Sequence, residues 1–124
     1  MTSFPPKKVD EAWQFASKHI TEACRHGAYS VEQVEEKVLS GEWMVWTGEK
    51  SAITTEVFSN DIGLCLTITH AGGDLRELLR MYDDIEGFAR ESGCVKMYIS
   101  GRPGWKKIFS GRGYIDENLI GKRL

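Results

Sequence analysis

Apolar and polar positions divide the chain into a helical beginning, a strand-rich middle and a mixed end. From Asp10, the residues Trp13, Ala16, Ile20, Ala23 and Cys24 recur at three- and four-residue steps, the spacing of one helical face. Asp10 and Glu11 sit where the helix dipole favours negative charge, and Gly27 stops the pattern. A second helix starts at Ser30, whose hydroxyl can cap the backbone while Gln33 reaches back; Val31, Val34 and Val38 form its apolar edge before Gly41. The period then shortens to two. Residues 43–46 (WMVW) and the β-branched stretch 52–58 read as a hairpin joined by GEKS. After a turn at Ser59, Asn60 and Asp61, residues 62–69 (IGLCLTIT) form a third strand, so the middle of the chain predicts an antiparallel meander.

Asp74 then caps the most regular helical pattern in the chain, with Glu77 at the capping-box position. Leu75, Leu78, Leu79, Tyr82, Ile85 and Ala89 share one face, while Arg76, Glu77, Arg80, Asp83, Asp84, Glu86 and Arg90 lie largely on the other. Ser92 and Gly93 end it. Residues 94–99 follow as a strand expected to run parallel to 62–69, because a helix of this length makes a natural crossover. A short helical segment at 103–110 brings Trp105, Ile108 and Phe109 together, and 114–124 reads as one last strand. Phe4, Pro5 and Pro6 read as an extended arm.

A length of 124 residues suits a single domain, 1–124, able to bury its own core. The contents of 41% hydrophobic and 27% charged residues are those of a soluble globular chain. No apolar run is long enough for a transmembrane helix or a signal peptide, so the expectation is a cytoplasmic protein with no membrane partner. Cys24, Cys65 and Cys94 are too widely spaced for a zinc site or a disulfide framework and read as buried small hydrophobes. Charge changes the picture more. Residues 1–93 hold 9 Lys+Arg against 16 Asp+Glu, and residues 94–124 hold 7 against 2. A basic end on an acidic body marks a face for phosphate or an acidic partner, or complementary packing of the two halves.

The segments SGCVKMYIS and GWKKIFSGRGY, together with the order of elements across nearly the whole chain, resemble the GNAT acyltransferases. The resemblance implies an α+β, three-layer fold: a mixed, mostly antiparallel sheet with helices on both faces. It also implies three functional features. The first is a glycine-containing loop at the start of the long helix, whose amides bind the pyrophosphate of acetyl-CoA. Counting back from Gly93, its glycine positions fall near Arg76 and Leu78, so the loop departs from the family pattern; Gly72, Gly73 and Asp74 are the candidates for a shifted anion site, against the plainer reading of a flexible turn that starts the helix. The second is a general acid, often a tyrosine, at a position that here holds Phe109, which has no proton to give. The third is a base for the substrate amine, for which His70 is the candidate, with Glu56 the one acid in the meander.

The two departures give a leading expectation of a non-catalytic GNAT-like protein with no cofactor. RPGWKKIF is similar to sequences of small tailed-bacteriophage head-assembly and internal virion proteins, which implies a phage structural protein as partner and virion association in the host cytoplasm. Trp105 beside Arg102, Lys106, Lys107 and Arg112 is the candidate partner-binding surface, since Trp and Arg are favoured in interface hot spots. The alternative is an acetyl-CoA-dependent N-acyltransferase with the shifted loop at residues 70–74. Nucleic-acid binding through the basic end ranks last, because the whole chain carries a net charge of −2.

Overall fold

The computed structural model describes residues 2–3, 9–25, 29–99, 115–117 and 119–124. The chain order is β1 (Thr2–Ser3), α1 (Val9–Cys24), α2 (Val31–Leu39), β2 (Trp43–Thr47), β3 (Ser51–Asn60), β4 (Gly63–Gly73), α3 (Leu75–Glu91), β5 (Lys96–Ile99), β6 (Ile115–Glu117) and β7 (Leu119–Arg123). The architecture is mixed α+β. Seven strands form one sheet in the order β1-β2-β3-β4-β5-β7-β6. β4 and β5 pair in parallel, as a helical crossover requires, and the other described pairs are antiparallel.

Two apolar clusters form on this sheet. Ala12, Trp13, Ala16 and Ile20 of α1 and Val34 and Val38 of α2 pack with Trp43, Val45 and Ala52. Leu78, Met81, Tyr82, Ile85 and Ala89 of α3 pack with Trp46, Ile53, Leu66, Ile68, Met97 and Ile99. Burying each large side chain fully contributes on the order of 1.5–3 kcal/mol, so the two clusters hold the helices to the sheet. Alternation along β2 and β3 serves both: Trp43 and Val45 join one cluster and Trp46 the other, as Ala52 and Ile53 do.

Local signals behave as their chemistry dictates. Ser30 accepts from the Gln33 amide at 3.2 Å and donates its own amide to the Gln33 side chain at 2.8 Å, completing the capping box of α2. α3 stops where Gly93 adopts φ +87°, with the amides of Gly93 and Cys94 donating to the carbonyls of Arg90 and Ala89.

Four expectations need correction. Leu75 is exposed and Met81 buried, so the inward face of α3 begins at Leu78 and includes a methionine that the helical stripe had omitted. The end of the chain is a hairpin, β6 with β7, where one strand was expected over 114–124. Residues 70–73 are strand where a flexible turn was expected, because Ser51, Ala52 and Ile53 pair with Gly73, Gly72 and Ala71. Finally, the carboxylate of Glu77 does not bond back to the Asp74 amide. That amide donates to the Ser51 hydroxyl at 2.9 Å and the Lys50 carbonyl at 3.3 Å.

Candidate functional site

The start of α3 is where three elements meet. Asp74 stands at the N-cap with an extended backbone, and its carboxylate accepts from the Glu77 amide at 3.0 Å. Glu77 turns the other way. Its two carboxylate oxygens accept from the consecutive amides of Glu49 and Lys50, each at 2.9 Å, in the β2–β3 turn. Converging backbone N–H groups of this kind form a small anion receptor, and the chain's own carboxylate fills it. Gly48 makes the approach possible: a Cβ there would stand 2.5 Å from the Glu77 carboxylate.

Charge and solvation agree with that geometry. Partial burial pushes the Glu77 carboxyl upward, but the Ser51 hydroxyl, the Lys50 and Glu49 amides and the Arg80 guanidinium together hold it below its ordinary value. The adjoining glycines are equally committed. A Cβ on Gly72 would meet the His19 carbonyl oxygen of α1 at 2.2 Å, and one on Gly73 would meet the Lys50 carbonyl at 2.3 Å. Gly73 also has φ +128°, a conformation that side-chain-bearing residues rarely adopt. These two glycines bring strand β4 against α1 and against the β2–β3 turn.

His70 sits three residues earlier on β4, and a bulge decides where it faces. Thr54 pairs with His70 while Thr55 pairs with Ile68, so Thr69 is an extra residue on β4. Leu64, Leu66 and Ile68 pack with the α3 cluster, and strict alternation would send His70 there too. The extra residue instead gives that place to Ala71. His70 meets Trp43 (ring centroids 5.8 Å apart) and Tyr29 (5.8 Å), and Tyr29 meets Trp43 at 5.3 Å. The bulge is tied down by the Thr69 hydroxyl, 2.7 Å from the Thr54 hydroxyl and 3.1 Å from the Thr54 carbonyl.

His70 is only 6% exposed, and its Nδ1 has no hydrogen-bond partner among the described residues; the same holds for Trp43 Nε1, at 4% exposure. Burial lowers the His70 pKa from its ordinary value. As placed, the imidazole packs against two aromatic rings and is nearly withdrawn from solvent. Glu56 is half-buried on β3, opposite Trp43 in the β2–β3 register.

The structure therefore separates the candidates. Gly72, Gly73 and Asp74 lie at the junction bound by Glu77, whereas His70 belongs to an aromatic cluster under the start of α2. Arg102, Trp105, Lys106, Lys107 and Arg112 lie outside the described residues, as do Phe109 and Tyr114. Sequence reasoning passed over Glu77 as a long-range partner, and Tyr29 and Trp43 as neighbours of His70. Gly48 was the available signal for the first, since a glycine in a hairpin turn is compatible with close approach of another group. Among the described residues no cluster of His, Cys, Asp and Glu has the arrangement of a metal site. Nor is any helix there long and apolar enough to cross a membrane.

At this junction the Asp74 carboxylate caps α3, the Glu77 carboxylate occupies the amides of the β2–β3 turn, and backbone of α1 and of that turn packs against both glycines. No protein-family model matches the chain, and no curated protein matches it.

Proposed function

We propose that this chain is a GNAT-like domain that does not transfer acyl groups from acetyl-CoA and acts by binding a protein partner. The observation that carries this reading is the Glu77 carboxylate, held at 2.9 Å by two amides of the β2–β3 turn beside the Asp74 cap. Two carboxylates at the helix start repel the polyanion that the family's chemistry depends on. Support for the GNAT-like part comes from the order of the described elements: two helices, an antiparallel meander, a long helix and a strand parallel to the last of the meander. The partner class follows from the resemblance of RPGWKKIF to small phage head-assembly and internal virion proteins. A structural protein of a phage particle is the proposed partner, and the basic segment around Trp105 the proposed contact.

Calorimetry with acetyl-CoA tests the first part: no heat of binding is expected up to millimolar ligand, and micromolar affinity would overturn the reading in favour of an acyltransferase. The second part is read by co-purification from the cells that make the protein. The chain is expected in assembling or finished particles, and recovery solely as a free monomer would refute a structural role.

A further inference from the structure

The cluster of Tyr29, Trp43 and His70 has no part in the reading above, yet it joins a buried titratable ring to the segment that starts α2. Centroid distances of 5.3, 5.8 and 5.8 Å form a closed triangle with no room for a guest between the rings. Tyr29 is its outer member, 40% exposed, and it directly precedes Ser30, the N-cap of α2. We propose that His70 is an acid-sensitive latch: neutral, it holds Tyr29 and the start of α2 on the sheet, and on protonation it releases them.

The argument rests on what an imidazolium would find there. Both ring nitrogens of a protonated histidine donate and need acceptors. Trp43 Nε1 is itself a donor and cannot accept, and Nδ1 of His70 has no partner among the described residues. The Thr54 hydroxyl, across the strand pair, is engaged with Thr69. Charged and titratable groups on the surrounding elements are Asp10, Glu11, Lys18, His19, Glu22 and Cys24 of α1, Glu32, Glu35, Glu36 and Lys37 of α2, Glu42 before β2, Glu56 of β3 and the Tyr29 phenol. Lys37 stands over the Trp43 ring at 5.5 Å and bonds Glu42 at 3.0 Å, which places a cation near the cluster and engages one nearby carboxylate. Burial lowers the His70 pKa from its ordinary value. A desolvated cation whose Nδ1 lacks an acceptor is relieved by opening the cluster at its exposed member, Tyr29.

The sign follows. A histidine whose folded pKa is depressed below about 6.5 leaves stability intact above that pH. Stability is then lost as pH falls from about 6.5 toward the folded value, because the open form takes the proton first.

Hydrogen–deuterium exchange from pH 7.5 to 5.0, corrected for intrinsic rates, reads the release. Opening of residues 29–34 is expected to rise about tenfold or more, as linkage to one proton allows, while α3 stays protected. His70→Phe, which keeps a ring, is expected to remove that rise; an equal rise in this variant, or no rise in the native chain, overturns the latch. Should His70→Phe not fold, deuteration of the imidazole carbon in the native protein follows the His70 titration directly. A midpoint below 6.5 that coincides with the opening of residues 29–34 is expected, and one at or above 6.5 overturns the proposal. Glu56→Gln is expected to leave the profile unchanged, and a shifted profile would make Glu56 the acceptor and refute the mechanism.

Discussion

Replacing Glu77 with alanine removes a side chain that ties the β2–β3 turn to α3. The carboxylate accepts two backbone hydrogen bonds of 2.9 Å. Hydrogen bonds to a charged group contribute about 1.5–3 kcal/mol each when buried. This site is half-buried, and water can serve both amides once the carboxylate is gone, so the pair together is worth roughly 2 kcal/mol. For a chain of this length that is a fall in Tm of roughly 6–12 °C. Gly48 makes the prediction sharper. A Cβ at Gly48 would stand 2.5 Å from the Glu77 carboxylate, whose atoms are the far end of a flexible side chain and can swing away. Gly48→Ala is therefore expected to cost about as much as Glu77→Ala, since it expels the same carboxylate. The double variant should be scarcely less stable than either single one, a coupling of roughly 1–2 kcal/mol in a double-mutant cycle. Chemical denaturation of the four proteins measures it. Additive losses would refute the idea that Gly48 exists to admit Glu77. The cost also has a pH signature. The Glu77 pKa is lowered in the folded chain, so its contribution is present above the ordinary carboxylate range and lost as pH falls through the lowered value. The gap between native chain and Glu77→Ala should close in acid.

Two other substitutions follow from the packing. Gly72→Ala places a methyl 2.2 Å from the His19 carbonyl, where backbone must move, and is expected to destabilise by about 2–3 kcal/mol in thermal denaturation. Thr55→Val removes the acceptor 3.0 Å from the buried Trp46 indole N–H; leaving that donor unmatched is expected to cost about 1–3 kcal/mol in the same assay, and a neutral result would show that the indole finds another acceptor.

Much of the fold was legible along the chain, for reasons that lie in particular residues. Ser30 with Gln33, and Asp74 before an amphipathic run, are capping chemistries that act within one turn. The parallel pairing of β4 with β5 followed from the length of α3 between them. The site was less legible. Gly72 and Gly73 read as flexibility because a glycine in sequence does not name the backbone that presses on it, and here that backbone comes from His19 and Lys50. Glu77 read as a local cap because its partners, Glu49 and Lys50, lie 28 and 27 residues away.

By itself the sequence determined the kind and order of the elements from α1 to β5, since periodicity and capping are properties of neighbouring residues. Tertiary structure alone decided which groups meet. One extra residue at Thr69 turns His70 from the α3 face to the face it shares with Trp43 and Tyr29. No count along β4 could reveal that, because a bulge is a mismatch between two strands and exists only once they pair.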